Sequence, residues 1–164
     1  MNKEKEFFTI AKEMNDKFAI IPLLFGSVAL NMLVEDDVYM GDLDISIPHY
    51  MRPDRKWLCP DIIKLMENMG YEFVDMWEGE FHKDDIWIHT AGNNIFKEYA
   101  NVDVTECPIM QKDGAIFKIM SLEQQVKIYT ATAEYKHNEG VRKEDVDDEW
   151  RKAGFAQKAL ARKN

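Results

Sequence analysis

Two aspartates, Asp42 and Asp44, stand two residues apart in a segment whose other positions are largely apolar. This alternation predicts a β-strand over residues 42–47, in which side chains two residues apart point to the same face. The two carboxylates would then lie about 6–7 Å apart along one face of the strand. Because carboxylate oxygens are preferred ligands of Mg²⁺, the pair suits one or two divalent cations that hold a polyphosphate.

A glycine and a serine, Gly26 and Ser27, precede the aspartates at the point where an apolar run ends. Residues 20–25 predict a buried strand and residues 28–34 a helix, so the pair falls at the turn between them. The first N–H groups of a helix are unpaired and lie at its positive dipole end, and glycine lets a phosphate approach the backbone closely. The turn therefore favours phosphate binding.

The elements that must position these residues follow from the spacing of apolar side chains. Helical spacing predicts helices over residues 4–17, 61–69 and 142–162 and from Ser121 onward. Alternation predicts a hairpin and two further short strands, over residues 71–77, 80–89, 101–106 and 115–120. A turn is expected at residues 92–94, and residues 49–57 predict a loop.

The last third of the chain carries its own helix signals. Ser121 and Gln124 have the spacing of a capping box, in which each side chain bonds the other residue's backbone N–H. In residues 142–162 the acids crowd the start and the bases the end, as the helix dipole favours. Together the elements predict an α/β (α+β) fold with a mixed sheet flanked by helices over residues 1–120. A C-terminal helical pair, residues 121–164, would pack on the same domain.

Composition sets further bounds. The 164 residues fit one domain with a substantial core, and 46% apolar content argues for a folded globule. The net charge of −9 argues against broad binding to DNA or to anionic membranes. Cys59 and Cys107 show neither a disulfide framework nor a zinc spacing. Because the start is too charged for a signal peptide and no apolar run is long enough to span a bilayer, we expect a cytoplasmic protein.

Each of these features also has a purely structural interpretation. Gly26 and Ser27 alone fit a tight turn, and Asp42 and Asp44 alone fit the solvated face of an edge strand. The charged final helix is interpreted mainly as a solvated face matched to the dipole. The four histidines show no ligand spacing, and we interpret them as surface or core residues: His49, His82, His89 and His137.

The order of these motifs resembles the signature of the nucleotidyltransferase superfamily, whose fold is similar to the polymerase-beta palm. Gly26-Ser27, a short helix, and then Asp42 and Asp44 on the next strand carry the resemblance. The most similar members are small bacterial enzymes: aminoglycoside or lincosamide nucleotidyltransferases and the toxin-type enzymes of abortive-infection systems. The resemblance implies a palm-like domain over residues 1–120 and transfer of an NMP from an NTP donor to an acceptor hydroxyl, with Mg²⁺ or Mn²⁺ as the cofactor.

The resemblance also implies roles for particular residues. Asp42 and Asp44 would hold the metal, and Gly26 and Ser27 would bind the β- and γ-phosphates. Toxin-type relatives carry a lysine on the helix that follows the sheet, and Lys127 is similar to it. The same relatives carry a later cluster of basic residues and an aspartate. Arg142, Lys143 and Asp145 are loosely similar to that cluster.

A third carboxylate on a neighbouring strand would complete the metal site or activate the acceptor. We assign it to Asp103, because the valines on both sides predict a short strand and resemble the family's third acidic strand. Asp85 competes, but it lies near a predicted strand end where a solvated charge is expected. Glu106 also competes, but it is an odd number of residues from Asp103 and should face away. The predicted metal ligands are therefore Asp42, Asp44 and Asp103.

Two departures from the family leave the function open. Relatives often have Ser or Thr two residues before the first aspartate, where this chain has Met40. The chain is also short, so the acceptor can be a small molecule, an RNA end or a protein hydroxyl, and an oligomer or a partner subunit can complete the pocket. The alternatives to an active enzyme are a nucleotide- or partner-binding module without turnover and an acidic interaction protein.

Overall fold

A computed structural model describes residues 1–48, 58–93 and 95–164. Its strands, in chain order, are β1 (Leu23–Phe25), β2 (Leu43–Ile47), β3 (Glu72–Asp75), β4 (Glu80–Lys83), β5 (Ile86–Gly92), β6 (Ile109–Lys112) and β7 (Ala115–Ile119). Its helices are α1 (Lys3–Phe18), α2 (Gly26–Leu33), α3 (Pro60–Asn68), α4 (Ile95–Ala100), α5 (Leu122–Asn138) and α6 (Lys143–Lys163). The predicted loop at residues 49–57, which includes His49, lies outside the described residues. So does Asn94, the last residue of the predicted turn.

The strands form one mixed sheet in the order β3-β4-β5-β2-β1-β7-β6. At its centre β2 runs antiparallel to β1 and parallel to β5, and β1 runs parallel to β7. The predicted mixed α/β fold, a sheet flanked by helices, is confirmed. Among the described residues, no helix is both long enough and apolar enough to cross a membrane.

An apolar cluster around Phe96 packs α4 against β1, and two further apolar layers hold the other helices. In the larger of these two layers, α1 and α3 pack on the sheet, and the buried side chains include Phe7, Ile10, Ile45, Ile62 and Phe117. The smaller one joins α2 to the C-terminal helices through Leu30, Leu122 and Ala156. Helices α5 and α6 therefore lie beside the turn that joins β1 to α2. The capping box that begins α5 at Ser121 and Gln124 is confirmed.

The predicted strand over residues 101–106 is wrong. The segment contains a single turn of 3₁₀ helix, Val104–Glu106, which Asp103 caps by accepting a hydrogen bond from the Thr105 backbone N–H. A short polar side chain that bonds the backbone two residues ahead favours a turn over an extended strand. On the side away from β1, the strand that pairs with β2 is β5.

Two tight turns divide the later strands differently from the prediction. The predicted strand over residues 80–89 breaks into β4 and β5 at Asp84, whose φ of 53° is left-handed. Strand β6 was not predicted at all, and Asp113 and Gly114 join it to β7 with φ angles of 50° and 78°. An Asp-Gly pair in this conformation is a strong hairpin signal. The sheet therefore contains one more hairpin at each end than the sequence pattern had indicated.

Candidate functional site

Asp42 and Asp44 lie at the start of β2, on the side of the sheet that faces the C-terminal helices. Leu43 and Ile45, which alternate with them, are fully buried on the opposite side. Asp44 is level with Phe25 on β1 and with His89 on β5. Asp42 comes one residue before the strand, and its side chain is 47% exposed. The two carboxylates therefore share one face, as the alternation predicts.

Gly26 makes room for the carboxylate of Asp44. It follows β1 directly, begins α2, and has a left-handed φ of 73°. A Cβ atom at this position would lie only 2.0 Å from Oδ2 of Asp44. Both the backbone conformation and this close approach exclude a side chain, so the glycine places the start of α2 directly against Asp44.

Ser27 connects the start of α2 to the segment that carries Asp42. Its side chain is buried, and its Oγ accepts a hydrogen bond of 2.9 Å from the backbone N–H of Gly41. A serine hydroxyl that accepts one bond can still donate its own proton. Ser27 can therefore hold the segment before Asp42 and keep a donor for a ligand.

The environment of Asp44 disfavours a lone negative charge. Burial raises the pKa of Asp44 to about 7, and the negative charges of Asp42 and Glu149 act in the same direction, while His89 and Lys152 oppose them. Among the described residues, no group donates a hydrogen bond to this carboxylate. A charged group that burial disfavours is stabilised by an opposite charge close to it, so the position suits a cation.

His89 stands where the neighbouring strand faces the aspartates. Its Nε2 lies 3.5 Å from Oδ2 of Asp42 and 3.5 Å from Oε1 of Glu80 on β4. The interpretation of His89 as a surface or core residue missed this placement. The alternation within residues 80–89 could assign His89 to a face, but nothing in the sequence indicates that its strand pairs with β2.

Helices α5 and α6 form the opposite wall of a cleft of about 530 Å³. Glu149, only 8% exposed, accepts a hydrogen bond of 2.8 Å from Nζ of Lys136 and lies 3.8 Å from Nζ of Lys152. Lys152 also pairs with Asp148 at 2.8 Å. The wall therefore brings two ammonium groups to the cleft, each held by a carboxylate of α6.

Tyr129 contributes a buried hydroxyl to the same wall. In the part of the chain that the structure describes, its Oη has no hydrogen-bond partner. Burial raises the pKa of Tyr129 above its ordinary value, and Asp44, Glu149 and Asp148 raise it further. The phenol therefore keeps its proton at neutral pH.

The structure brings four of the six site residues chosen from the sequence into this one cleft. Gly26, Ser27, Asp42 and Asp44 all line it. Lys127 projects from an exposed position on α5 and is not among the lining residues.

Asp103 lies away from the cleft, in a separate surface pocket with Lys97 and Lys118. Its carboxylate accepts hydrogen bonds from both the backbone N–H and the hydroxyl of Thr105. These bonds lower the pKa of Asp103. The aspartate therefore acts as a turn cap, and the structure does not bring it to Asp42 and Asp44.

The competing acid Asp85 and the basic cluster have other contacts, and the other competing acid, Glu106, is exposed. Asp85 pairs with the N-terminal ammonium group of Met1 at 3.1 Å. Arg142 lies at the start of α6, where it pairs with Asp145 at 3.1 Å, and Lys143 pairs with Asp147 at 2.9 Å. None of these residues is among those that line the cleft.

The donor set fits a hard divalent cation that also binds phosphate. Among the described residues, no group of three His, Cys, Asp or Glu side chains has the geometry of a metal site. Mg²⁺ is commonly held by one or two carboxylates, with phosphate oxygens and water in its remaining positions. Asp42 and Asp44 supply such a pair, and burial raises the pKa of Asp44 by more than His89 and Lys152 lower it.

Comparison with known proteins identifies the family. No family model matches the chain. Over 129 residues it is 34% identical to the uncharacterized protein YnaI of Bacillus subtilis (strain 168), an alignment that covers 79% of this chain and 81% of the relative. The chain belongs to the family of YnaI.

Solved structures confirm the nucleotidyltransferase fold. An antigenic nucleotidyltransferase-like protein from Paracoccidioides brasiliensis superposes with a TM-score of 0.59 at 14% identity, over 94% of this chain and 75% of that one. ANT(2'')-Ia in complex with adenylyl-2''-tobramycin gives a TM-score of 0.55 at 12% identity, over 99% and 100% of the two chains. The resemblance to the nucleotidyltransferase superfamily is therefore confirmed at the level of the fold.

Proposed function

We propose that this YnaI-family protein is a metal-dependent nucleotidyltransferase, which moves an NMP from an NTP to a hydroxyl of an acceptor. One observation carries the proposal: Asp42 and Asp44 share a single cleft with the start of α2 and with Lys136 and Lys152 of the facing wall. Carboxylates for a cation and donors for phosphate thus converge on one space. The fold of the solved neighbours supports the same reaction class.

The triphosphate would lie between the two walls. Backbone N–H groups at the start of α2 and the Ser27 hydroxyl would donate to phosphate oxygens, which helix N-termini bind favourably. Lys136 and Lys152 face the same space and stabilise the negative charge of the leaving pyrophosphate. A side chain at Gly26 would disturb this arrangement, because its Cβ would collide with the carboxylate of Asp44.

Asp42 and Asp44 would hold Mg²⁺ or Mn²⁺, which supplies charge neutralisation at the reacting phosphate. The acceptor oxygen forms a bond to the α-phosphorus as the bond to the bridging oxygen breaks, pyrophosphate departs, and the acceptor releases its proton. Attacking and leaving oxygens are roughly in line in such transfers. With the pyrophosphate toward α2, the acceptor enters over β5 and β4, beside His89 and Glu80.

We propose a small molecule as the acceptor. Acids, including Glu80 and Asp42, border the cleft on the side where the acceptor would enter, and the chain carries a net charge of −9. Both features disfavour a polyanionic acceptor such as an RNA end. ANT(2'')-Ia, which shares the fold, was solved with an adenylylated small molecule.

A second candidate is a nucleotide-binding module of the same fold that does not turn over. The strand beside Asp44 presents His89 where the resemblance implies a third carboxylate. If that third acid is essential for the chemistry, the protein binds Mg²⁺·NTP without releasing pyrophosphate. The two candidates share the donor site and differ only in turnover.

Calorimetry with each of the four NTPs, with and without Mg²⁺ or Mn²⁺, tests the donor site. We expect cation-dependent binding that Asp42→Asn and Asp44→Asn abolish and that Asp103→Asn, remote from the cleft, leaves intact. Pyrophosphate release in the presence of hydroxyl-bearing small molecules then distinguishes transfer from binding alone. Absence of NTP binding under all these conditions would overturn both candidates.

A further inference from the structure

The position of Asp42 depends on a segment that no strand supports. Residues 34–42 connect α2 to β2, and the ladder between β2 and its neighbours begins only at Leu43 and Asp44. Met40 and Gly41, which lead into Asp42, have no polar side-chain atom of their own. The place of the Asp42 carboxylate must therefore be fixed by groups that reach the segment from elsewhere.

Among the described residues, two side chains bond the backbone of Met40 and Gly41, while Asn31 and Lys158 hold the segment farther back, at Val38 and Asp36. Ser27, described above, accepts the N–H of Gly41 at 2.9 Å from one side. From the other side Lys3 donates through its Nζ to the carbonyl oxygens of Met40 at 2.9 Å and of Gly41 at 2.5 Å. Hydrogen bonds from an ammonium group are stronger than those between neutral groups. Lys3 thus closes a brace around the two residues before Asp42.

Lys3 itself stands on a rigid support. It is the first residue of α1, and the side chain of Asn2 caps this helix by accepting the Lys5 backbone N–H. The same helix is anchored in the larger core through fully buried Phe7 and Ile10. A tie from Lys3 therefore fixes the segment relative to the sheet, and not merely relative to another loop.

We propose that Lys3 is a positioning residue of the active site, which sets the place of the Asp42 carboxylate by holding the backbone of Met40 and Gly41. Its role in nucleotide binding rests on the function proposed above. Lys3 is not among the residues that line the cleft. Without its ammonium group, the backbone of Met40 and Gly41 keeps only the bond to Ser27 among the described residues, and the separation of Asp42 from Asp44 is less firmly set.

The test compares three variants of the full chain. Lys3→Met removes the ammonium group and keeps the stem, Lys3→Arg keeps a charged donor, and Lys5→Met is the matched control on an exposed position of the same helix. Hydrogen–deuterium exchange measures how firmly residues 38–42 are held without any ligand. Calorimetry with Mn²⁺·ATP measures the consequence for binding, and thermal unfolding measures the fold.

In Lys3→Met we expect the amide hydrogen of Gly41 to exchange about tenfold faster, as the loss of charge-assisted hydrogen bonds predicts. For the same reason we expect this variant to bind Mn²⁺·ATP about tenfold more weakly. Its Tm should match that of Lys5→Met, and Lys3→Arg should restore both properties toward those of the natural sequence. Equal exchange and equal affinity in Lys3→Met and Lys5→Met would overturn the proposal. So would faster exchange throughout the molecule, since that indicates a general structural role.

The two readouts also keep this proposal separate from the proposed function. If the natural sequence fails to bind Mn²⁺·ATP, the function proposed above is wrong. Exchange at Gly41 still decides whether Lys3 positions the segment, because it is measured without nucleotide. Faster exchange confined to residues 38–42 supports the brace, and unchanged exchange overturns it.

Discussion

The two walls of the cleft carry their charges in different ways. On the sheet wall, Asp44 receives no hydrogen bond from the residues that the structure describes, and Asp42 has His89 at 3.5 Å. On the helical wall, by contrast, Glu149 is paired with Lys136 at 2.8 Å. The helical wall is therefore close to neutral by itself, whereas the sheet wall has a negative charge that burial disfavours.

This difference indicates which wall depends on a ligand. A charge that burial disfavours reduces stability, and a bound cation removes that penalty at the sheet wall. The lysines of the helical wall already have carboxylate partners, so phosphate must compete with Glu149 for them. Variants on the sheet wall should therefore abolish binding, while variants on the helical wall should tune it.

Gly26→Ala should give the largest effect. Its new Cβ would lie 2.0 Å from Oδ2 of Asp44 in a backbone with φ of 73°, so Asp44 must move into the cleft. We expect the free energy of unfolding to fall by about 1–3 kcal/mol, as for strained left-handed residues, and Mg²⁺·NTP binding to be lost. Chemical denaturation and calorimetry measure the two effects.

Gly154→Ala is the matched control for this substitution. It lies within α6, where a Cβ would meet nothing within 4 Å. Alanine should stabilise that helix by about 1 kcal/mol and leave nucleotide binding unchanged. Wild-type affinity in Gly26→Ala would show that the contact between Gly26 and Asp44 is not needed for the site.

Asp44→Asn should remove the negative charge that burial disfavours at the sheet wall. It should also abolish Mg²⁺·NTP binding. Because burial raises the pKa of Asp44 from 3.8 to about 7, the folded state retains a proton that the unfolded chain has released between these values. The contribution of Asp44 to the stability of the natural protein therefore falls as pH rises from about 4 to 7, and the loss remains above 7. Asparagine has no such loss, so the Tm advantage of Asp44→Asn should grow across this window.

Asp42→Asn provides the internal comparison. Asp42 is 47% exposed, so its substitution should change Tm little while still abolishing Mg²⁺·NTP binding. Thermal unfolding without nucleotide at pH 4, 6 and 8 separates the two aspartates. A constant Tm difference between Asp44→Asn and the natural protein at all three values would contradict the proposed burial of charge at Asp44.

The same two walls separate what the sequence could predict from what it could not. The pieces of the sheet wall are local: Gly26-Ser27 ends one apolar run, and Asp42 and Asp44 alternate within another. Period-two alternation assigns both carboxylates to one face without knowledge of any partner strand. These pieces are predictable because each depends only on its own neighbours in the chain.

The helical wall depends on contacts that span the chain. Glu149, Lys136 and Lys152 belong to helices whose charges look like a solvated face in sequence, and only packing on α2 turns them toward the cleft. The assignment of Asp103 as third carboxylate had the same weakness. Alternation resembled a strand there, but β2 already lies between β1 and β5. Strand order depends on long-range contacts, so the sequence pattern could not place His89 beside Asp44 either.

Glu149→Gln tests whether the helical wall restrains its own lysines. The variant keeps the shape and removes the negative charge that holds Lys136 at 2.8 Å. We expect the free energy of unfolding to fall by about 1 kcal/mol and the affinity for tripolyphosphate to rise a few-fold, because Lys136 and Lys152 are released. Calorimetry and denaturation measure both. Glu134→Gln, exposed on α5, is the control, and weaker tripolyphosphate binding in Glu149→Gln would mean that Glu149 orients the lysines.

Tyr129→Phe should give the smallest effect, and its sign is the informative part. The hydroxyl is buried without a partner among the described residues, so removing it should stabilise the protein by about 1 kcal/mol. For a chain of this length that corresponds to a Tm increase of about 2–4 °C. Tyr71→Phe is the control with the opposite expectation, because the Tyr71 hydroxyl donates to Glu6 and its loss should lower the Tm. Thermal unfolding of the two variants decides the matter: a lower Tm for Tyr129→Phe would mean that its hydroxyl is satisfied within the folded protein.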